Sequence, residues 1–173
     1  EAGRLDLLVY SAYSPPAGRL RGNFWEQEPG MWDACNGIGL RSTYLACAAF
    51  APLLIRSAGA APPLVALVSS FGGRSFTFNV AYGVGKAAVD RLAADMAVQL
   101  KPFGVAATSI YPGVVRTERN VDLDERGLFK EASGGLGLGP GEAESPEFTG
   151  RALAALIGAP NLLERSGNVE VAA

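Results

Sequence analysis

Tyr82 and Lys86 stand four residues apart, the spacing that places two side chains on one face of a helix, one turn from each other. A free tyrosine titrates near pH ~10 and is protonated at neutrality. An ammonium held beside it favours the phenolate and draws that pKa toward the working range of a general acid/base. Ser70 lies twelve residues earlier, and its hydroxyl can donate to a carbonyl oxygen that a tyrosine protonates. Each residue alone has a plain alternative. Tyr82 and Lys86 could decorate an ordinary amphipathic helix, and Ser69-Ser70 could simply start a loop or cap a helix.

The elements around them favour chemistry. Leu5 to Val9 and Leu64 to Val68 are short apolar runs of the kind buried on both faces of a parallel sheet, and Val105 to Ile110 is a third. Between them a long helix is expected from about Met31 to Arg56, with Trp32, Cys35, Ile38, Leu45 and Ala48 as its inner stripe and Pro52 kinking or ending it. A second helix is expected over Val80 to Leu100, with Val84, Ala88, Leu92 and Met96 at helical spacing and Val89 and Ala93 alongside. Pro146 to Ile157 is a further helix and Gly167 to Val171 a last strand. Strand and helix alternate, so the expected class is α/β, a Rossmann-like parallel sheet with flanking helices. In such sheets ligands bind beyond the carboxyl ends of the strands. Those ends carry Tyr10-Ser11-Ala12-Tyr13, Ser69-Ser70 and Tyr111-Pro112-Gly113.

Composition narrows the function classes. The 173 residues suit one domain, and 49% hydrophobic content supplies a core. The net charge of −2, with no long basic run, argues against nucleic acid as the main partner. There is no histidine, so a Ser-His-Asp triad and His-based metal sites are excluded. Cys35 and Cys47 lack CxxC spacing and read as buried thiols of an intracellular protein, with a single disulfide left open. No uninterrupted apolar run reaches the ~20 residues of a membrane span, the best stretch, Tyr44 to Val68, being broken by Arg56 and three prolines. Gly85-Lys86-Ala87 is not a P-loop, because Val80 and Ala87 stand where that motif needs Gly and Ser/Thr.

Two loops stay open at this level. Phe24 and Trp25 could form a substrate-facing lip or a hydrophobic plug. The segment 118–146, glycine-rich from Gly134 to Gly141, is long for a connection in a compact domain and reads as a mobile lid or as disorder.

In order along the chain, Ser70, Tyr82-x-x-x-Lys86 and Pro112-Gly113-Val114-Val115-Arg116-Thr117 resemble the short-chain dehydrogenase/reductases. The resemblance runs from Arg4 to about Val171, and Met31-Trp32-Asp33, Gly39-Leu40-Arg41 and Phe78 to Lys86 resemble one member of that family most. It implies an oxidoreductase that moves hydride between NAD or NADP and a small carbonyl or alcohol substrate. Tyr82 would be the acid/base, Ser70 would orient the carbonyl, and Lys86 would lower the tyrosine pKa and hold the nicotinamide ribose. Pro112, Gly113, Val114 and Thr117 would hold the nicotinamide. Homo-oligomerisation through the two long helices is also implied.

The chain departs from the family in three places. Tyr10-Ser11-Ala12-Tyr13 stands where Asn-Asn-Ala-Gly is usual, and Gly39 stands where a relay asparagine is usual, with Asn36 one turn earlier. The fingerprint Thr-Gly-x-x-x-Gly-x-Gly is absent from the 173 residues. The chain starts at Glu1 and enters an apolar strand within a few residues, so it is expected to be a partial domain, equivalent to strands 4 to 7 of the family, preceded by more protein. The alternative is a non-catalytic remnant that keeps the fold for binding or assembly.

Overall fold

The computed structural model describes residues 3–14, 22–133, 137, 139 and 142–172. Four parallel strands, β1 (Leu7–Tyr10), β2 (Leu64–Val68), β3 (Ala106–Tyr111) and β4 (Val169–Val171), pair in the order β1-β2-β3-β4. That is the uninterrupted order expected of the family's strands 4 to 7, with β1 at one edge. The central strands are buried on both faces, as their unbroken apolar runs require. Val65, Leu67 and Ala107 point to one side and Leu64, Ala66 and Ile110 to the other, so the period of two feeds two separate cores. The first core is closed by helices α2 (Thr43–Ser57) and α3 (Val80–Leu100), and the second by α6 (Pro146–Ile157) and α7 (Leu162–Arg165).

The first long helix differs from expectation in its register. It begins as α1 (Gly30–Asn36), passes through a π-helical stretch at Gly37–Ser42, and continues as α2. The wider i→i+5 turn rotates the following face. Of the expected inner stripe only Cys35 is buried; Trp32, Ile38 and Leu45 are about half exposed, and the buried positions are Cys35, Asn36, Thr43, Cys47, Leu54 and Ser57. Pro52 neither ends the helix nor prevents burial of Leu54, because the last turn is pinned from outside: Ser57 Oγ donates to Leu53 O and accepts from the Leu5 amide. In α3 the buried column is likewise one residue over, at Gly85, Val89, Ala93 and Ala97, and Val84 is exposed.

By length and mean hydropathy Gly30–Ser57 could cross a membrane, although the sequence offered only the broken stretch Tyr44 to Val68 as a candidate. Here it is the crossover between β1 and β2 and lies against both strands and α3. A helix docked on a sheet in this way is a layer of the fold.

The chain leaves α3 through a 3-10 turn containing Pro102, and Gly104 at φ +71° supplies the left-handed residue that turns it into β3. Phe24 and Trp25 pack edge-to-face on each other and are 63% and 70% exposed, so they do not form a buried plug. Within 118–146, α4 (Glu118–Glu125) and α5 (Phe129–Ser133) are helical, so this part is more ordered than its composition suggests. Six residues of the Gly134 to Gly141 run lie outside the described residues.

Both cysteines are free and buried. Burial pushes the Cys47 thiol from its ordinary value of 9.0 up to about 11. The fold therefore favours the neutral thiol, and that contribution is complete below pH 9 and lost as pH rises through about 11. Cys35 shifts in the same direction. Urea midpoints are expected to fall across that window, and to fall less steeply in Cys47→Ala. An equal slope in the variant would reject the assignment.

Candidate active site

The carboxyl end of β2 and the start of α3 build the site. Asn79, 1% exposed, caps α3: its side-chain oxygen accepts from the Tyr82 amide at 2.8 Å, fixing the backbone at the residue that matters. The preceding Phe78 has φ +63°, a conformation that costs a non-glycine residue energy. In return its ring packs edge-on to Tyr82, with centroids 5.1 Å apart.

Ser70 follows β2 and caps a 3-10 turn over Phe71–Gly73 by accepting from the Gly72 amide. Ser70 does act as a cap, and its Oγ also lies 2.8 Å from Tyr82 Oη. Ser69 Oγ donates to Lys86 O and ties the strand end to the helix. Lys86 extends from the same face as Tyr82, and its Nζ donates to Val68 O at 3.3 Å. The ammonium sits 5.9 Å from the centroid of the Tyr82 ring and 5.3 Å from that of Tyr13.

The electrostatics run against the simplest expectation. The Tyr82 pKa is raised, not lowered: burial of the phenolate is the largest cause, and the hydrogen bond from Ser70 only partly offsets it. Lys86 is itself shifted down by burial, with Asp90 one turn on acting in the opposite sense. Spacing put the two groups on one face, but the ammonium is spent on a carbonyl behind the phenol and the pair shares a dry site. Burial penalises both charged forms.

The third strand end supplies the Pro112 turn. Gly113 N–H donates to Glu144 Oε1 at 2.9 Å, and Glu144 pairs its backbone with Val114 and Arg116, so the far end of the 118–146 segment returns to this turn. Thr117 Oγ1 accepts from the Asn120 amide and caps α4. Ser70, Tyr82 and Lys86 are therefore in one cluster. Pro112, Gly113, Val114 and Thr117 form a separate turn at the adjacent strand end.

Asn36, one turn before Gly39, lies in the site, and Asp90 and Glu144 are contributors that sequence reasoning missed. Asn36 Nδ2 donates to Trp32 O and Ala81 O, stitching α1 to α3, while its Oδ1 is buried without a partner. Gly85 is glycine because an added Cβ would meet that Oδ1 at 2.2 Å. Asp90 bonds the Tyr111 hydroxyl, joining α3 to the strand before the turn. Glu144 lies too far along the chain for any local pattern to reveal. A small cavity of ≈ 10 Å³, room for about one water, is lined by Tyr13, Cys35, Asn36, Tyr82 and Lys86 among others.

The groups present suit the nicotinamide end of a dinucleotide. Lys86 has three donors, one of them bonded to Val68 O. Glu144 Oε2 is a buried acceptor without a partner at the Gly113 turn. No pyrophosphate-binding fingerprint occurs in the 173 residues. Among the described residues there is no cluster suited to a metal ion.

Residues 1–127 match the family described as short chain dehydrogenase. Dehydrogenase/reductase SDR family member 1 of Mus musculus is 42% identical over 98% of this chain and 55% of its own length, and the Homo sapiens protein of the same name is 37% identical over the same shares. The chain thus spans about half the length of these curated relatives. Among solved structures, a 3-oxoacyl-[acyl-carrier protein] reductase from Brucella melitensis in complex with NAD superposes with a TM-score of 0.79 at 21% identity, covering 98% of this chain and 66% of that one. The Pseudomonas aeruginosa RhlG/NADP active-site complex gives a TM-score of 0.79 at 24% identity, covering 97% and 64%. These likenesses establish the fold.

Proposed function

The chain belongs to the short-chain dehydrogenases, and from that premise we propose that it carries the carbonyl-handling part of an NAD- or NADP-dependent oxidoreductase. The observation that carries the proposal is the 2.8 Å contact between Ser70 Oγ and Tyr82 Oη at the carboxyl end of a buried parallel strand. Two hydroxyls this close can converge on one substrate oxygen. The solved structures above, complexes with NAD and NADP, support the cofactor class.

In reduction, the nicotinamide when bound supplies the hydride, and every other task falls to this chain. Ser70 donates to the carbonyl oxygen and orients it. Tyr82 Oη passes its proton to that oxygen as charge develops, and burial keeps the phenol protonated and ready to donate. Lys86 offers its remaining donors to the ribose and places a positive charge behind the phenolate that proton transfer leaves. The Pro112 turn, with Val114 and Thr117, would hold the nicotinamide, and Glu144, bonded to the Gly113 amide, would fix the shape of that turn. The helices Glu118–Glu125 and Phe129–Ser133 would cover the substrate, since the chain after them returns to the turn at the Val115–Glu144 bridge.

A competing reading, a non-catalytic chain that keeps the fold for binding, draws support from Gly39 and from the raised Tyr82 pKa. The whole protein, mixed with NADH or NADPH and a panel of aldehydes and ketones, separates the two. The expected result is oxidation of the cofactor in step with alcohol formed. Cofactor binding with no turnover of any carbonyl, or of alcohols in reverse, would favour the binding protein.

A further inference from the structure

Tyr13 is a large side chain in the site with no part in the mechanism above. It reaches in from the loop after β1 and lines the same small cavity as Tyr82 and Lys86. Its ring meets Tyr82 edge-on, centroids 6.0 Å apart and planes at 85°. The Lys86 ammonium lies over the Tyr13 face at 5.3 Å, closer than to the face of Tyr82. A cation at this distance from an aromatic centroid is attracted to the ring, and more so where water is excluded. Cys35 lines the same cavity beside Tyr13.

The opposite wall shows that this placement is built in. Gly39, in the π-helical stretch, approaches Tyr13 so closely that an added Cβ would stand 3.2 Å from Cδ2 and 3.7 Å from Cε2 of the ring. Any larger side chain at residue 39 would need the volume Tyr13 fills. Residue 39 is small and residue 13 is large, and together they make one wall.

We propose that Tyr13 is a positioning residue whose ring face holds the Lys86 ammonium, and whose edge holds the Tyr82 ring, in the geometry needed for proton transfer. The proposal rests on the catalytic roles given above to Tyr82 and Lys86. Its physical content is the π face: a side chain that merely fills volume should not replace it.

The test compares Tyr13→Phe, which keeps the ring, with Tyr13→Leu, which fills much of the space without a π face, in the whole protein. Tyr13→Phe is expected to stay within about twofold of wild-type kcat. Tyr13→Leu is expected to lose about tenfold in kcat with KM for the carbonyl within about twofold. Without cofactor, the Lys86 Cε proton resonances should keep their ring-current shift in Tyr13→Phe and lose part of it in Tyr13→Leu. Gly39→Leu should lower the melting temperature by about 3–6 °C, and Gly39→Leu with Tyr13→Ala should regain most of that loss while kcat stays at the Tyr13→Leu level. Equal kcat and equal Lys86 shifts in the Phe and Leu variants would overturn the proposal, as would a double variant that recovers turnover along with stability. Tyr82→Phe serves as the control: activity there would reject the catalytic roles themselves, whereas an inactive Tyr82→Phe beside a fully active Tyr13→Leu would reject only the role of Tyr13.

Discussion

Tyr82→Phe is expected to lower kcat by about 10²–10⁴-fold, the range usual for removing a general acid/base, while cofactor affinity stays within about twofold. The substitution deletes one oxygen. The ring keeps its edge contacts with Phe78 and Tyr13, and the Asn79 cap bonds the backbone rather than the phenol. Ser70 loses its 2.8 Å partner but still caps the Phe71–Gly73 turn through the Gly72 amide. The melting temperature should therefore move little, and the loss should fall on kcat. The raised pKa also sets a direction with pH. Reduction uses the protonated phenol, which burial maintains into the alkaline range, and alcohol oxidation uses the phenolate, so oxidation should gain as pH rises. Steady-state profiles of both directions, with reduced and oxidised cofactor, check this. Near-normal turnover in Tyr82→Phe, or an oxidation rate flat with pH in the wild type, would reject the assigned acid/base.

Local pattern made some of this molecule legible. The bounds of β2, α3 and α6 follow from apolar runs and from breakers at their ends, and the strand ends mark where the cluster lies. What local pattern could not convey was phase and company. The π-helical stretch rotated the face of the first helix, because no propensity marks Gly37–Ser42 for i→i+5 bonding. The Tyr82 pKa moved up where spacing alone suggested down, because the shift is decided by burial and by where the ammonium points, and both are tertiary facts. Tyr13 was visible only as part of an unusual strand end. Its relation to Gly39 and Lys86 is closed by the β1–α1–α3 arrangement. Glu144 returns to Gly113 across 31 residues, and no periodicity encodes such a closure.

Gly72→Ala tests whether the site tolerates any displacement of the phenol. An added Cβ at Gly72 would stand 2.5 Å from Cε1 and 3.0 Å from Cδ1 of Tyr82, and 3.2 Å from Ser70 Oγ. Something must move. The turn cannot easily retreat from α3 as a unit, because Gly72 N–H and Ser70 O hold it to its own cap and Gly73 packs directly on the Lys86–Ala87 backbone. The Tyr82 ring is the softer element, yet Phe78 and Tyr13 flank it. Overpacking of this kind costs about 1–3 kcal/mol, and whichever part yields, the Ser70–Tyr82 contact opens. We expect the melting temperature to fall and kcat to drop about 10²-fold, the lower end of the effect of losing a positioned acid. Gly150→Ala is the matched control. It lies in α6 with nothing within 4 Å of the added Cβ, so it should stabilise by up to about 1 kcal/mol through helix propensity and leave kcat unchanged. The decisive measurement is the pair Gly72→Ala and Tyr82→Phe. If Gly72→Ala acts by moving the phenol, the double variant should be no slower than Tyr82→Phe alone, since groups that act as a unit are non-additive. Fully multiplicative losses would show that Gly72 acts elsewhere, and a Gly72→Ala enzyme at wild-type speed would show that the Ser70–Tyr82 contact is not what turnover depends on.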